Sequence, residues 1–451
     1  MEIVLPKKTT SLDYINQHIS SFISNKTFLY GNLTFSDCTI EMIDIDNLKI
    51  KNGSITFKRC KFISYVSLKN IKLNGNINFI ECESSALFKL FKIESNMEIF
   101  FEYFKTDKKI EFVDVLFNKI NILSSTLDYF SINSNTSNHI ETITINNCDI
   151  VNSIHLFNIH KINTLNFINV KTNEIKLKGI YLNQDSTVNI TNSNMNFLFL
   201  ESLTSIDKSN IMIVDNLIDI LNINNIKSNY GEISIKNGFQ KKLIIGKNIS
   251  ESILIDFSEA SLENIDLDES LYTFLSNKKR NNSILKDGNF EQNSKTLQIL
   301  SKMFADNYQY ELQDLCFYYH NNFQMKQKIK KSENLISKTT YAIKYFFGKY
   351  FFGWGVKLSN IVNSFFYVIG IYGFLYYLLF NIFGVQYKYK SYELNGSFFD
   401  SFYSSALLLF GSYSDFELNN KKLDSIMYSE HLIGILLLAI LTGTIIRKLV
   451  R

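Results

Sequence analysis

The sequence predicts a protein of mixed fold class, with an N-terminal quadrilateral β-solenoid of about ten coils, a helical connector and a C-terminal two-helix transmembrane module that holds a re-entrant loop. Three observations lead to this prediction. A short motif returns every 21 to 23 residues over most of the first 250 residues. Two long apolar runs lie near the C-terminus, and a shorter amphipathic stretch separates them. A fixed period of this length indicates stacked repeats, and an apolar run of about 20 residues is long enough to cross a bilayer.

The length and charge of the chain narrow the class of protein. Its 451 residues leave room for two or three domains. The formal net charge of +4 argues against a dedicated nucleic-acid binder, so no nucleic-acid partner is expected. The first residues, MEIVLPKKTT, contain no apolar core of the signal-peptide type, and the start of the chain is predicted to be cytoplasmic. The cysteines are odd in number and form no C-x-x-C pair, which does not suggest a disulfide framework.

Residues 1–32 are predicted to form a helical cap on the solenoid. Apolar residues recur at helical spacing from Thr10 to Ser24, and Thr10 or Ser11 is placed to act as the N-cap. The apolar side of this helix consists of Leu12, Ile15, Ile19, Phe22 and Ile23. Because stacked repeats need a capping element, the helix is expected to cover the end of the stack.

Residues 33–270 are predicted to form the solenoid itself. The motif begins as LTFSDC at Leu33, ITFKRC at Ile55 and INFIEC at Ile77, and each begins 22 residues after the one before. Its later members begin at Ile99, Ile120, Ile143, Leu165, Val188, Ile211 and Ile233. Within one repeat, apolar pairs recur in steps of five residues: Leu33/Phe35, Cys38/Ile40, Ile43/Ile45 and Leu48/Ile50. Four short strands per coil, each with two inward side chains, predict a roughly square cross-section.

The five-residue step resembles that of the pentapeptide-repeat proteins, although most repeats here do not match their usual A-(D/N)-L-x-x consensus. The resemblance implies a right-handed quadrilateral β-solenoid. Stacked coils lie about 4.8 Å apart, so Cys38, Cys60 and Cys82 are expected to form a column in the core. One interpretation is a thiol column that binds metal or changes redox state. The favoured one is that these cysteines pack as small hydrophobic residues. The solenoid mixes Lys with Glu and Asp, and therefore lacks the acidic face of a DNA mimic.

A linker at 271–291 and a helical hairpin at 292–332 are predicted after the solenoid. Two helical stretches, about Gln292 to Ala305 and Tyr308 to Lys331, carry apolar faces. The faces consist of Leu297, Leu300, Met303 and Phe304 on one helix and Leu312, Leu315, Cys316, Tyr319 and Phe323 on the other. Cys316 and His320 lie four residues apart, but two ligands alone make a poor metal site, and core packing is favoured. The amino-acid sequence of this hairpin is similar to that of the hairpin that precedes the membrane segment in bacterial pentapeptide-repeat proteins with an ion-channel domain.

Residues 333–360 are predicted to be an interfacial amphipathic segment, and 361–451 a two-span domain. Lysines precede the first apolar run, and YFFGKYFFGWG mixes aromatic residues with glycine, as is typical of a segment that lies along a membrane surface. The first span is predicted from Ile361 to Phe383 and the second from about Asp424 to Ile446. Basic residues flank both outer ends, so both termini are expected in the cytoplasm and the intervening loop outside an inner or plasma membrane.

The stretch between the spans, from Asn395 to Asp415, predicts a helix followed by a turn and a polar return. Non-helical backbone at membrane depth is tolerated only where protein or water surrounds it. Two spans with such a loop resemble the pore module of tetrameric cation channels. The resemblance implies a pore helix with Asp400, Ser404 and Ser405, a selectivity filter of Gly411, Ser412, Tyr413, Ser414 and Asp415, an outer mouth with Asp415 and Glu417, and inner-helix hinges at Gly434 and Gly443.

The filter departs from the potassium-channel wording T-T-x-G-Y-G-D. Tyr413 and Asp415 match it, but Ser412 and Ser414 replace its glycines, and Leu409 and Phe410 replace its threonines. Those glycines adopt backbone conformations that a side chain disfavours, and the carbonyls they align replace the hydration shell of the ion. The departure predicts weak discrimination of potassium from sodium.

The leading hypothesis is a homotetrameric channel for monovalent cations in contact with membrane lipid. Its cytoplasmic solenoid would sense or dock an unidentified ligand or protein. The alternative is a non-conducting, membrane-anchored solenoid scaffold. An enzyme is not expected, because the six histidines are scattered and no catalytic triad, carboxylate pair or phosphate-binding loop stands out. No cofactor, catalytic residue or metal site is predicted.

Overall fold

The computed structural model describes residues 1–134, 139–229, 231–250, 252–268, 284–286, 288–384, 387–390, 392–393, 397–418 and 421–450. The chain divides into two compact units, Met1–Lys286 and Asp287–Arg451. Most of the predicted linker at 271–291, including 271–283, lies outside the described residues.

The first unit is a β-solenoid of about 12 coils with a period of about 22 residues. The described residues of this unit form one sheet of 28 strands, in which neighbouring strands pair in parallel. The first fourteen strands are β1 (Glu2–Val4), β2 (Lys8–Ile15), β3 (His18–Ile19), β4 (Ser21–Asn25), β5 (Phe28–Ser36), β6 (Thr39–Asp46), β7 (Lys49–Lys51), β8 (Ile55–Lys58), β9 (Lys61–Leu73), β10 (Ile77–Ile80), β11 (Glu83–Ser84), β12 (Leu87–Ser95), β13 (Glu98–Glu102) and β14 (Lys105–Thr106). The next fourteen are β15 (Lys109–Val113), β16 (Lys119–Leu123), β17 (Thr126–Asn133), β18 (Thr142–Asn146), β19 (Asp149–Phe157), β20 (Ile162–Ile168), β21 (Lys171–Lys178), β22 (Tyr181–Thr191), β23 (Asn194–Glu201), β24 (Thr204–Ser205), β25 (Ser209–Val214), β26 (Leu217–Asn224), β27 (Gly231–Ile245) and β28 (Ile253–Leu267).

The strand register confirms the predicted repeat frame. Leu33 lies opposite Ile55, and Ile55 lies opposite Ile77. The same column continues through every later motif start to Ile233. It also reaches Leu12, one coil before the predicted start of the solenoid, and continues to Ile255 within the predicted range 33–270. The frame read from the sequence is therefore correct, and the number of coils was underestimated.

Side chains at equivalent positions stack on one another inside the solenoid. Phe35, Phe57, Phe79 and Phe101 form a column whose successive ring centroids lie 4.9, 5.0 and 4.7 Å apart, with nearly parallel rings. All eight predicted inward residues of the coil that starts at Leu33 are buried. Burial of such apolar surface is the main favourable term in folding, and here each coil supplies the surface that buries its neighbour.

Residues at the corners of the coils adopt a left-handed backbone. Asn147, Asn169 and Asn192 occupy one such corner in successive coils, with φ of 54°, 51° and 50°. Asn tolerates this conformation better than most other residues that carry a side chain. The Asn169 amide also donates to Asn147 Oδ1 at 2.9 Å. The corners thus use asparagine both for backbone shape and for contacts between coils.

The predicted N-terminal helical cap at 1–32 is wrong, because this region forms the first coils of the solenoid. Residues 10–24 lie in or beside β2, β3 and β4. Leu12 pairs with Leu33 and Tyr14 with Phe35, so the first coil uses the same frame as the rest. Two residues of the predicted apolar helix face, Ile15 and Ile23, are exposed. Pairing with a preformed neighbour outweighs local helical periodicity, which is a weak determinant by itself.

The second unit is mainly helical. Its helices are α1 (Phe290–Asp306), α2 (Tyr310–Lys331), α3 (Leu335–Phe346), α4 (Leu358–Phe383), α5 (Phe398–Leu409) and α6 (Lys421–Val450). A π-helical turn (Phe347–Phe351) and a 3₁₀ turn (Gly353–Gly355) join α3 to α4, and a second 3₁₀ turn (Tyr413–Asp415) follows α5. Three short strands, β29 (Tyr387–Tyr389), β30 (Tyr392–Glu393) and β31 (Phe416–Leu418), form a small antiparallel sheet.

Helices α1 and α2 form the predicted hairpin. Leu297, Leu300 and Phe304 of α1 and Cys316 of α2 are fully buried. His320 of α2 lies 2.8 Å from the Ser294 carbonyl of α1 through Nδ1. Cys316 and His320 therefore join the packing between the two helices, as the sequence favoured.

The first testable prediction concerns Cys60, which is 2% exposed and lies in the predicted column with Cys38 and Cys82. Replacement by Ala or Val should lower the thermal midpoint only slightly, since the pocket keeps an apolar side chain. Cys60→Asp should destabilise the solenoid by more than about 3 kcal/mol, because the new carboxylate is buried without a partner. Thermal denaturation followed by circular dichroism measures both effects. Rapid reaction of native Cys60 with a thiol reagent would contradict the assigned frame.

Candidate functional site

Two helices of the second unit are long and apolar enough to cross a membrane. The candidate spans are Leu358–Ile382 in α4 and Asp424–Val450 in α6, with 25 and 27 residues. Only 22% and 17% of their most apolar windows are buried. Core helices of a soluble domain would be mostly buried, whereas these helices leave large apolar side chains such as Phe366, Ile371 and Leu436 exposed.

The short helix α5 lies between these two helices. Its first turn is capped by Ser397, whose Oγ accepts a hydrogen bond from the Asp400 backbone N–H at 3.1 Å. On the α4 side, Gly373 leaves room for the Phe402 ring, since a Cβ at Gly373 would lie 2.9 Å from it. Ser405 Oγ also lies 3.3 Å from the Ile369 carbonyl oxygen. The sequence predicted this helix, and the structure shows why it fits closely against α4.

A buried carboxylate joins all three helices. Glu430 of α6 is fully buried and accepts hydrogen bonds from Tyr376 Oη of α4, at 2.5 Å, and from Ser405 Oγ of α5. A buried polar side chain is costly unless it is hydrogen-bonded, and these two bonds satisfy the Glu430 carboxyl group. Glu430 therefore fixes the positions of α4 and α5 relative to α6.

The C-terminal end of α5 packs directly on the backbone of α6. A Cβ at Gly434 would lie 2.1 Å from the Leu409 carbonyl oxygen, so only glycine permits this approach. His431, one turn earlier, lies 3.2 Å from the Leu408 carbonyl through Nδ1. Gly434, the predicted hinge, lies inside α6, which runs without interruption from Lys421 to Val450. The structure gives Gly434 a packing role, whereas a Cβ at Gly443 would meet no atom of another described element within 4 Å.

The predicted filter segment begins with a turn at Gly411. This residue has φ of +110°, a conformation that disfavours any side chain. The backbone N–H of Ser412 donates to the Leu407 carbonyl at 3.0 Å and closes the end of α5. Tyr413, Ser414 and Asp415 then form the 3₁₀ turn, and β31 follows. The extended return thus starts at Phe416, after the residues that the channel resemblance assigns to the filter.

Tyr413 turns back towards α6 of its own chain. Its hydroxyl donates to Asp424 Oδ1, and this bond raises the pKa of Tyr413 to about 12. The ring stacks on His431, with centroids 5.6 Å apart, and contacts Tyr428 edge-on. These contacts anchor the 3₁₀ turn to the beginning of α6.

Basic residues lie opposite both acidic residues of the predicted outer mouth. Asp415 Oδ2 lies 3.6 Å from Lys390 Nζ, and the Asp415 carbonyl accepts from the Lys390 backbone N–H at 2.8 Å. Glu417 in β31 pairs in register with Lys388 in β29, although the side chain of Glu417 lies outside the described residues. Lys390 therefore offsets part of the negative charge of Asp415.

The segment between the hairpin and the first span folds against α2 and the end of α6. Trp354 Nε1 donates to Asn322 Oδ1 at 2.8 Å. Arg447, near the end of α6, forms an ion pair with Asp314 of α2 at 2.9 Å. Thr444 Oγ1 lies 3.4 Å from the Gly355 carbonyl. The end of α6 and the segment before α4 are thus tied to the helical hairpin.

The predicted site residues are only partly brought together. Ser405 reaches α4 and Glu430, whereas Ser404 Oγ donates to the Asp400 carbonyl within α5. Sequence reasoning missed Glu430, Tyr376 and His431. One signal was present, because Glu430 is an acidic residue inside an apolar helix, and such residues in a membrane segment have a function or a buried partner in most cases.

The chain matches no protein family, and comparison with curated proteins and with solved structures finds no significant similarity. The fold alone defines the class, which is a β-solenoid protein with two potentially membrane-spanning helices.

The two glycines of α6 provide a matched test of the close contact between α5 and α6. Gly434→Ala should displace α5, because the new Cβ would overlap the Leu409 carbonyl, and clashes of this kind cost about 1–3 kcal/mol or more. Gly443→Ala should be tolerated, since that position is open. Thermal stability of the two variants in detergent measures the difference. Equal stability would contradict the tight contact.

Proposed function

We propose that the second unit forms a membrane pore for monovalent cations, assembled from four copies of the chain, and that the solenoid is a cytoplasmic domain that docks or senses an unidentified ligand or protein. The observation that carries this proposal is that direct contacts hold α5 between two apolar helices. Ser405, Glu430 and Gly434 provide the contacts. A short helix in this position, followed by a loop, is the arrangement expected of a pore helix and a re-entrant loop.

The exposed faces of α4 and α6 support an assembly within a membrane. A single pair of spans encloses no channel, so a pore needs several copies arranged around an axis. The exposed aromatic and aliphatic side chains of both helices are suited to lipid and to contacts with other copies. The number four comes from the resemblance to tetrameric cation channels.

The C-terminal end of α5 also suits a cation. Helix dipoles place about half a negative charge at this end. The Leu407 carbonyl already accepts a hydrogen bond from Ser412, and the Leu409 carbonyl packs on Gly434, so the dipole acts on an ion as a general field and not through these two groups. Side chains at Ser412 and Ser414, together with the 3₁₀ turn, favour a wide filter through which cations pass with part of their hydration shell. Discrimination of potassium from sodium would then be weak.

A non-conducting membrane-anchored scaffold is the second candidate. The 3₁₀ turn at Tyr413–Asp415 favours it, because a potassium filter needs consecutive carbonyls aligned along the pore. The ion pair of Asp415 with Lys390 also removes part of the negative potential that would attract cations.

Ion flux into liposomes that contain the purified full chain, and current recorded across a bilayer that contains it, test the pore. Under bi-ionic potassium and sodium, the reversal potential should lie within about 20 mV of zero, compared with about 59 mV for a tenfold preference. Cations should be preferred over anions. No flux, from protein shown to be folded and inserted, would favour the scaffold. A monomer by native mass in mild detergent would also contradict the pore.

Lys390 and Asp415 should affect conduction in opposite directions. Lys390→Gln removes a positive charge beside Asp415 and should raise cation conductance at low salt, whereas Asp415→Asn should lower it and reduce the preference for cations. Both effects should shrink above about 0.5 M salt, because ions screen exposed charges. Lys105→Gln, an exposed position in the solenoid, is the matched control and should change nothing. Equal currents in all three variants would remove this pair from the conduction path.

Orientation follows from the basic flanks of the two spans. The loop between α4 and α5 should be outside the cell, and the hairpin inside. Cysteine introduced at Lys390 should react with an impermeant thiol reagent on intact cells, while cysteine introduced at Lys302 should react only after lysis. The five native cysteines are buried, so their background should be low. Reaction at Lys302 in intact cells would reverse the proposed orientation.

A further inference from the structure

Helix α3 (Leu335–Phe346) lies entirely on the surface of the second unit. None of its twelve residues is buried. Leu335 and Ile336 are 78% and 75% exposed, and Ile343 and Phe346 are about half exposed. A helix of this length is marginal in water unless an apolar face is covered. The exposed apolar side is therefore available to a further partner.

The exposed apolar residues lie on one side of α3. At 3.6 residues per turn, Leu335, Ile336, Ile343 and Phe346 share a face. Ser337, Tyr341 and Tyr345 are partly buried and lie on the opposite side. Lys338 and Lys344 are exposed and lie at the two margins between these sides. Long basic side chains at the margins of an apolar face are typical of helices that lie in a membrane interface.

The charge around α3 is strongly positive. Residues 326–357 contain eight lysines and one acidic residue, Glu333. Some of these lysines have partners within the protein, such as Lys331 with Glu291 and Lys357 over the Tyr318 ring. Lys338 and Lys344 extend from an exposed helix instead. An anionic surface is the complementary partner for this segment.

Connectivity restricts where that surface lies. The first candidate span begins at Leu358, twelve residues after Phe346. The intervening elbow is held in place by the Trp354–Asn322 hydrogen bond and by the Trp354 ring over Gly348, where a Cβ would lie 2.5 Å from the ring. A helix fixed this close to the start of a span lies near the headgroups of the membrane that the span enters.

We propose that α3 docks on the anionic surface of the bilayer, with its apolar face at the boundary between headgroups and acyl chains and with Lys338 and Lys344 on acidic headgroups. This inference rests on membrane insertion of α4, which is part of the proposed function, and is independent of conduction. The chemistry recognised is a layer of anionic phospholipid together with the apolar region beneath it, so soluble phosphate alone should not replace it.

The single tryptophan, Trp354, provides an intrinsic probe beside this helix. The full chain is reconstituted into vesicles in which either phosphatidylglycerol or phosphatidylcholine carries brominated acyl chains, each at the same mole fraction. Bromine quenches tryptophan only at short range, so the ratio of the two quenching values reports the local lipid composition. The brominated anionic lipid should quench at least about twofold more strongly, because each lysine near the surface favours anionic lipid.

The double variant Lys338→Gln with Lys344→Gln should bring the quenching ratio close to one. A matched control, Lys105→Gln with Lys171→Gln, removes two exposed lysines from the solenoid and should keep the wild-type ratio. Added inorganic phosphate at equal ionic strength to a chloride control should leave the ratio unchanged. Equal quenching by both lipids in the wild type, or a ratio unaffected by the α3 variant, would overturn the proposal.

The apolar face has its own test, which also separates a membrane from a second copy of the chain. Ile343→Ser should reduce quenching by both brominated lipids and leave the native mass of the complex unchanged. A change in native mass without a change in quenching would assign this face to a contact between copies and overturn the proposal. Quenching needs no ion flux. A chain that does not conduct ions but still prefers the anionic lipid would therefore contradict the pore and leave the proposal for α3 intact.

Discussion

In-register pairing between successive coils is the constraint on which the first unit depends. Each coil hydrogen-bonds to its neighbours and buries its apolar residues against them. A shift of one residue would turn an inward side chain outward, since neighbouring side chains of a strand point to opposite faces. This is why Phe35, Phe57 and Phe79 recur 22 residues apart, whereas the outward positions vary freely.

The same constraint explains which parts of the fold could be predicted. The repeat frame was visible because the residues of a column, such as Leu33, Ile55 and Ile77, recur at a fixed interval in the sequence. The first coil was mistaken for a helix because Leu12, Ile19 and Phe22 satisfy both a helical and a solenoid pattern. Only the column from Leu12 to Leu33 distinguishes them, and it requires extending the frame upstream. The small sheet around Tyr389 was missed because its strands are short and its pairing is set by the fold of the loop.

In the second unit, the sequence predicted the elements well and their contacts poorly. Long apolar runs identified α4 and α6, and the S-x-x-D wording at Ser397 and Asp400 marks the start of α5. The contacts of Glu430 are with residues 25 and 54 positions away, and no local pattern encodes them. Gly434 illustrates the same difficulty. This glycine was singled out in the sequence, but its packing role depends on the Leu409 carbonyl of another helix.

The position of α5 is fixed by groups outside the filter segment. Glu430 binds Ser405, Gly434 admits the Leu409 carbonyl, and Ser397 caps the first turn. Residues 411–415 add the turn at Gly411, the backbone bond from Ser412 that closes α5, and the contacts of Tyr413 and Asp415. Sequence changes at Ser412 and Ser414 therefore leave these contacts of α5 intact. The fold around α5 can therefore tolerate changes at these two positions, and in the proposed pore the two serines are expected to act on ion selectivity and not on stability.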